Sequence, residues 1–419
     1  MREMKDSGIE WIGEIPKSWT ITILSALFSE RKCKNSGLTE NNLLSLSYGN
    51  IVRKNIESNE GLLPASFETY NIIEPGNIVF RLTDLQNDKR SLRTGLCQER
   101  GIITSAYVTL QIRSDDSPRY MHYLFHTYDL CKVFYGMGDG VRQGMNYEDL
   151  KRLRILRPDR ETQRRIANYL DRKCSQIDAI IARQQEVIKK LKAYKLSVIT
   201  EAVTKGLNPN VPMKDSGVEW IGEIPSHWEI LKLQVHTRMI TPMRDRPEKL
   251  DGDIPWIRIE DYDGKYISAS KEGLGVSMET VNEMNLKIYP VGSILCTSSC
   301  DLGKCAIVTK ELVSNQRFIN IAPDSNTSSD YLYYLMLSNA ERLNHLSTGT
   351  IQANLSRKEF EHLMVQFPTK LEQKEIAEYL DGKCRTIEFS IRKKQELVDK
   401  LIEYKKSIIY EIVTGKKEV

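Results

Sequence analysis

Gln163-Arg-Arg-Ile-Ala-Asn-Tyr-Leu-Asp171 opens a stretch that runs to Thr204 and returns, with about half its positions identical, as Gln373-Lys-Glu-Ile-Ala-Glu-Tyr-Leu-Asp381 running to Thr414. Glu161 to Thr204 contains neither proline nor glycine, and apolar residues recur at Ile166, Leu170, Ile177, Ile180, Val187, Leu191, Tyr194 and Val198. Spacings of three and four, or their sums, predict a helix about 65 Å long with a heptad-like seam. The copy offers Ile376, Leu380, Ile387, Leu397, Leu401, Tyr404 and Ile408, and polar Gln184 and Lys394 interrupt the two seams in register. Pro158 and Pro368 precede the helices, and Gly206 and Gly415 follow them, as helix start and stop chemistry expects. A helix this polar outside a narrow stripe needs a partner. Either its own copy packs against it antiparallel, or each helix merely caps its own domain; the duplicated seam favours the first arrangement.

Met4 to Trp19 recurs from Met213 to Trp228 with changes only at Ile9/Val218, Lys17/Ser226 and Ser18/His227. The repeat is about half the chain, too long for a solenoid and right for a domain plus a connecting element, which predicts internal pseudo-two-fold symmetry. The expected partition is 1–158 as a first domain, 159–206 as a first helix, 207–368 as a linker and second domain, and 369–419 as a second helix with a tail. Between the repeated blocks lie two bodies of divergent sequence on a shared skeleton. Each has a turn and strand (Pro75 to Phe80; Pro290 to Leu295), a β-rich run (Ala106 to Ile112; Phe318 to Ile321) and a tyrosine-rich helix (Arg119 to Tyr135; Asp330 to Leu346). Each then has a Gly-x-x-Gln loop and a capping box (Asn146/Asp149; Ser356/Glu359) before a last strand at Ile155 and at Val365. The fold class is α+β, not a doubly wound parallel sheet. Because Trp11, Trp19, Trp220 and Trp228 belong to the part that stays constant, they are expected as apolar anchors between body and frame.

The 419 residues carry a net charge of +4, with 40% hydrophobic and 28% charged residues, which reads as a globular chain mildly compatible with nucleic acid. No signal peptide and no apolar run long enough to span a bilayer is visible, so a cytoplasmic location and no membrane partner are expected. The eight cysteines show no disulfide framework, and Cys296, Cys300 and Cys305 lack the fourth ligand and spacing of a zinc site. There is no Walker loop, no Gly-x-Gly-x-x-Gly turn and no methyltransferase-like Asn-Pro-Pro-Phe segment. His122 and His126 stand four apart without the intervening glutamate of a metalloprotease. No catalytic residue, metal ligand or cofactor site is therefore expected in this chain.

The informative polar residues lie in the variable loops. In the first body Arg81, Lys89, Arg90 and Arg93 are gathered with amides and hydroxyls, and Tyr107, Arg142 and Gln143 follow. The second body offers Ser298, Lys304, Gln316, Arg317, Gln352 and Asn354. Arginine bonds two acceptors on guanine and glutamine or asparagine two groups on adenine, so such loops can read base edges as well as grip phosphates. Each arginine or lysine taken singly is equally well a solvated surface charge.

The duplicated Trp-Ile-Gly-Glu-Ile-Pro segment (Trp11 to Pro16, Trp220 to Pro225), the Gln-x-x-Ile-Ala-x-Tyr-Leu-Asp helix start and the Gly-x-x-Gln loop together resemble the specificity subunits of type I restriction-modification enzymes, over essentially the whole chain. The resemblance implies two target-recognition domains, each reading one half of a split asymmetric site in double-stranded DNA, joined by an antiparallel intramolecular coiled coil. It implies that the helices set the half-site separation and dock two methyltransferase subunits, which bring S-adenosylmethionine, while restriction subunits bring ATP, Mg2+, translocation and cleavage. Departures from it lie in the polar seam positions Gln184 and Lys394. Two other classes stay open at this point: a protein-binding coiled-coil adaptor, and a self-contained DNA-modifying enzyme.

Overall fold

The computed structural model describes residues 2–55, 66–85, 92–137, 144–243, 245–299, 302–346 and 355–419. The two repeated stretches are helices, Arg160–Lys205 and Lys370–Val413. Side chains satisfy the amides at their starts: Asp159 accepts from the amide and hydroxyl of Thr162 (2.9 and 2.7 Å), and Thr369 and Glu372 bond reciprocally (3.1 and 3.4 Å). Both stop at a left-handed glycine, Gly206 with φ 71° and Gly415 with φ 74°. A Cβ on Gly415 would meet Pro16 Cδ at 2.5 Å, and one on Gly206 would meet Trp228 Cζ2 at 3.2 Å, so each glycine serves both the turn and the approach of an opening segment.

Compactness divides the chain into Met1–Gln184 with Glu396–Val419, and Gln185–Gln395. The cuts fall within the helices, next to the polar interruptions Gln184 and Lys394, whereas Pro158 and Pro368 mark only where a body's last strand gives way to helix. In the first unit, the start of the first long helix runs antiparallel to the end of the second. Ile166, Ala167, Leu170 and Cys174 share one core with Ile408, Ile409, Ile412 and Val413, together with Trp19, Tyr120 and Leu156 of the body. The second unit repeats this: Ile199, Ala202 and Val203 share a core with Ile376, Ala377, Leu380 and Cys384, and with Trp228, Tyr331 and Val365. Each body therefore buries its apolar face on the start of the helix that follows it and on the end of the other helix, which explains why both helix ends are repeated in sequence.

The seam differs in register from the one expected. Ile180 is 45% exposed, Tyr194 56%, Leu397 42% and Tyr404 46%, while Ile188 and Val398 are buried at 7% and 1%. The inward positions are Ile177, Ile181, Gln184, Ile188, Leu191, Lys195 and Val198, and their equivalents from Ile387 to Ile408. Consecutive apolar pairs (Ile180-Ile181, Val187-Ile188, Leu397-Val398) create two parallel stripes, and spacing alone does not choose between them. The stripe that packs carries Lys195 and Lys405, whose long side chains leave the seam to meet Glu388 and Asp178 respectively.

Both bodies are α+β on one frame. The first has an antiparallel sheet in the order Phe28–Glu30, Val108–Ile112, Ile78–Phe80, Thr94–Leu96. The second has Thr237–Ile240, Phe318–Pro323, Ile294–Thr297, Cys305–Val308 in the same order, plus Tyr266–Ile267 parallel at the edge. Leu110 pairs with Ile78 as Ile321 pairs with Ile294, so the registers match. In each, a strand directly after the opening segment pairs antiparallel with the last strand: Thr20–Ile23 with Arg154–Arg157, and Glu229–Lys232 with Met364–Phe367. Both capping boxes form. The tyrosine-rich helices are shorter than expected. The first, Pro118–Leu130, gives way at left-handed Lys132 to a 3-10 turn, and the second is split at Asn339 into Ser329–Ser338 and Ala340–Leu346.

Candidate nucleic-acid interface

In the first body Ile78–Phe80 and Thr94–Leu96 form a hairpin closed by the Arg81 amide bonding the Arg93 carbonyl at 2.8 Å; in the second, Thr297 and Lys304 close the equivalent hairpin at 2.9 Å. The two divergent loops are thus the tips of one conserved hairpin, the second shorter by several residues. Beyond each Gly-x-x-Gln loop the chain returns to this hairpin. Met145 N bonds Leu82 O (2.9 Å), and Leu355 N bonds Ser298 O (2.8 Å). In both bodies a residue just beyond the Gly-x-x-Gln loop is thus hydrogen-bonded to one just beyond the hairpin strand.

Among the predicted residues, Lys89, Arg90, Arg142, Gln143, Gln352 and Asn354 lie outside the described residues. Gln316 and Arg317 are exposed on the turn before Phe318–Pro323, and the Arg317 carbonyl accepts from Ser298 N at 2.8 Å, so turn and hairpin are adjacent. Lys304 is exposed at the hairpin base and Arg81 half-buried. Ser298 is buried to 8% exposure, its backbone bracing both neighbours. Tyr107 is half-buried against Leu44, Ile73, Val79, Cys97 and Ile103, a packing position with one edge outward.

Arg93 corrects the expectation of a base reader. It has no exposed surface, and its guanidinium reaches the carbonyls of Thr83 (2.8 Å) and Asp84 (3.3 Å) and the hydroxyl of Tyr135 (3.4 Å). An arginine fork satisfied inside its own loop braces that loop. Long-range partners decided this, and neighbouring residues carry no signal of it.

The sequence reading also missed Tyr48. It sits with φ 45° on the two-residue turn between Leu44–Ser47 and Asn50–Arg53, and it is 79% exposed. Gly49 beside it packs on the hairpin base: a Cβ there would lie 3.1 Å from Leu92 Cδ1 and 3.6 Å from Thr94 O. A large flat side chain is so presented next to the hairpin of Ile78–Phe80 and Thr94–Leu96. Its only sequence signal is a Tyr-Gly turn between alternating residues.

Missed as well is the means by which each body is seated on its helix. Gln163 Oε1 accepts the Ser117 amide and its Nε2 donates to Pro158 O (2.8 and 2.9 Å); Gln373 does the same with Ser328 and Pro368 (2.8 and 3.0 Å). Two turns on, Asp171 accepts the Tyr123 hydroxyl at 2.9 Å and Asp381 that of Tyr334 at 2.5 Å. Arg119 adds an ion pair to Asp171, whereas the second unit uses Lys265, 2.6 Å from both Asp330 and Asp381. Burial alone would lower the Lys265 pKa, but these two carboxylates outweigh it and raise it. The Gln and Asp of the repeated motif are therefore fittings between body and helix.

Cys296 and Cys305 face each other across a strand ladder, both buried, and burial pushes the Cys296 thiol well up, away from the thiolate a metal requires. Cys300 lies outside the described residues. Among the described residues no group of three His, Cys, Asp or Glu is placed to hold a metal, and no helix is long and apolar enough to cross a membrane.

Residues 232–398 match the family model described as the type I restriction modification DNA specificity domain. Over that segment the chain is similar to type I restriction-modification specificity subunits. The specificity subunit of the type I restriction enzyme MjaIX from Methanocaldococcus jannaschii is 33% identical over 187 residues, 43% of each chain. The putative MjaX specificity subunit of the same organism is 26% identical over 310 residues, 72% of this chain and 68% of that one. The HindI specificity subunit of Haemophilus influenzae is 27% identical over 155 residues. Among solved structures, a chain from a study of complex assembly and conformational transition of the type I R-M system superposes with a TM-score of 0.71 over 96% of this chain and 99% of that chain, at 13% identity, which extends the likeness of fold to both units. Outside the matched segment, the first body carries the same sheet order, hairpin and helix fittings as the second.

Proposed function

We propose that this chain is the specificity subunit of a type I restriction-modification complex and selects its DNA, the first body reading one half of a bipartite asymmetric site and the second body the other. The observation that carries this reading is the pair of equivalent hairpins, built on identical strand order and register and differing in length and chemistry at their tips. A constant frame with variable tips is what a reader of two unlike half-sites needs. The chain itself holds no catalytic role in this reading; S-adenosylmethionine, ATP and Mg2+ act in partner subunits, and the complex defends against foreign DNA.

The long helices are the spacer between half-sites and the seat of two methyltransferase subunits. The stripe beside the seam supports that assignment: Val187, Lys190, Tyr194, Ser197 and Glu201 on the first helix correspond to Leu397, Lys400, Tyr404, Ser407 and Glu411 on the second. Four of the five are identical. Both tyrosines are about half exposed, so packing within the chain does not account for their retention. Two equal surfaces suit two copies of one partner.

The test is expression with the cognate modification subunits followed by mapping of methylated bases. The expected result is a two-part motif whose spacer changes when Glu186 to Lys192 and its counterpart Glu396 to Ile402 are deleted together, since half-site spacing follows protein spacing. Methylation by the purified chain alone would overturn the non-catalytic assignment, and an unchanged spacer would overturn the role of the helices.

A further inference from the structure

The repeated opening segments differ at one place in their surroundings. In the first unit Trp11 is half-buried and meets the ring of Tyr128 edge-on, with centroids 4.5 Å apart, while the Arg154 guanidinium bonds the carbonyls of Gly8 and Ser7 at 2.8 and 3.1 Å. The equivalents of Tyr128 and Arg154 in the second unit are Asn339 and Met364. Asn339 is buried and turned back on its own helix, Nδ2 to Leu335 O at 2.8 Å. Where the first unit sets the Tyr128 ring against its tryptophan, the second has the smaller Asn339, and Arg342, three residues on, lies over the tryptophan instead. Trp220, the counterpart of Trp11, is 44% exposed, with the Arg342 guanidinium 4.0 Å above its ring.

The opening is a groove of about 250 Å³, walled by Trp220, Arg342, Leu346, Lys358, His362 and Met364. Arg342 Nε is enclosed yet has no hydrogen-bond partner. Lys358 and His362 are exposed at the rim. The acidic group on the wall, Glu359, is committed to the amide of Ser356. An apolar floor, the Arg342 guanidinium with an Nε that lacks a hydrogen-bond partner, and the Lys358 ammonium at the rim together call for an apolar group that carries or adjoins a negative charge. The first unit supplies the template for the apolar part, an aromatic ring set edge-on to the tryptophan.

We propose that this groove receives an aromatic side chain adjoining a carboxylate, presented by a partner protein that binds the second unit and not the first. The first unit fills its own site with Tyr128, so a partner reading this feature binds once per chain. Such a contact distinguishes the two halves of an otherwise repeated molecule. Tryptophan and arginine together at an exposed groove are the residue types that anchor protein interfaces.

The experiment uses the full chain labelled with 5-fluorotryptophan, whose five tryptophans give separate fluorine resonances; Trp220→Phe assigns the one of interest. N-acetyl-Glu-Tyr-amide is titrated in the millimolar range, on the order expected for so small a ligand. The expected result is a saturable shift of the Trp220 resonance with Trp11 unmoved, and binding about ten-fold weaker for N-acetyl-Lys-Tyr-amide or for the Arg342→Gln variant, as loss of one charge-assisted contact implies. Asn339→Tyr, which restores beside Trp220 the ring that the first unit sets against Trp11, should abolish the shift, the remaining resonances reporting that the variant is folded; if it is not, Arg342→Gln carries the test. The proposal is overturned by equal shifts at Trp11 and Trp220, by indifference to the charge of the dipeptide, or by no shift up to its solubility limit. It is overturned too if a short DNA duplex moves the Trp220 resonance and the dipeptide does not, which would make the groove a phosphate contact.

Discussion

Tyr120 donates its phenolic hydrogen to the backbone carbonyl of Val413, 3.2 Å away and 293 residues further along the chain. The ring has no exposed surface, and the acceptor belongs to the last turn of the second long helix, where the carbonyls lack intrahelical donors. Tyr331 does the same in the second unit, to Val203 O at 3.4 Å and Gln366 O at 3.1 Å. Each body thus satisfies the end of a helix that does not follow it in sequence. Tyr120→Phe keeps the packing and removes the donor, which should cost about 1–2 kcal/mol. Hydrogen exchange should show faster opening of amides from 400 to 413 and of the first body's strands, with the second unit unchanged. Equal loss in both units would contradict this division.

Acid should weaken the first unit through His122 and His126. Burial lowers the His122 pKa to about 4 against smaller opposing effects of the Thr94 backbone and Asp171; burial, with His122, Lys405 and Lys406, lowers that of His126 to about 3. In the unfolded chain both titrate near 6.5. As pH falls below that value the unfolded state takes up protons that the folded state refuses, so stability is complete above about pH 6.5 and is lost progressively down to the folded pKa values. His122 is only half-buried as a residue although its Nε2 is enclosed without a partner, so its share of the loss between pH 7 and 5 is on the order of 1–2 kcal/mol rather than the full shift. Denaturant midpoints of the wild type should fall over that range, and those of His122→Gln should fall less. Parallel pH profiles would exclude His122 as the cause.

Elements set by local chemistry were legible in the sequence. Asn146 and Ser356 open their helices with the expected caps, Gly206 and Gly415 end theirs, and the long helices stand within a few residues of the expected bounds. What depends on distant partners was not. Ile180 and Ile181 are equally apolar, and only the opposing helix chooses between them. Arg93 has the composition of a DNA contact, but the carbonyls of Thr83 and Asp84 claim it. Trp11 and Trp220 sit in nearly identical sequence and differ in exposure because of Tyr128 and Asn339, more than a hundred residues away in each case.

The loop residues should separate into two behaviours. Arg93→Ala removes the brace from inside the hairpin, leaving carbonyls unsatisfied, and should lower the stability of the first body by about 2–3 kcal/mol. The bases preferred by whatever folded protein remains should be unchanged. Gln316→Ala, at an exposed position, should leave stability within about 0.5 kcal/mol and relax discrimination at one base pair of the second half-site by about 1–3 kcal/mol. Tyr48→Ala should weaken all sequences together if the ring rests on the sugar-phosphate backbone. Binding measured on a panel of single-base variants of the mapped site, at two salt concentrations, distinguishes the classes. Relaxed discrimination in Arg93→Ala would return that residue to the readers.

The stripe beside the seam predicts a change in stoichiometry. Tyr194 and Tyr404 occupy equivalent positions, exposed to 56% and 46%, one in each compact unit. If each seats one methyltransferase subunit, Tyr194→Ala should weaken one docking site and leave the other intact, because the substitution removes an aromatic anchor of the kind worth about 2 kcal/mol at an interface centre. Native mass spectrometry of the complex at concentrations near the docking affinity should then show one modification subunit per chain for either single variant, and none for the double variant. Neither residue packs in the helix seam, so helix content and thermal unfolding of the isolated chain should be unchanged. Retention of two subunits by both single variants would move the docking surface away from this stripe, while loss of both subunits from either one would mean that the two sites are coupled rather than independent.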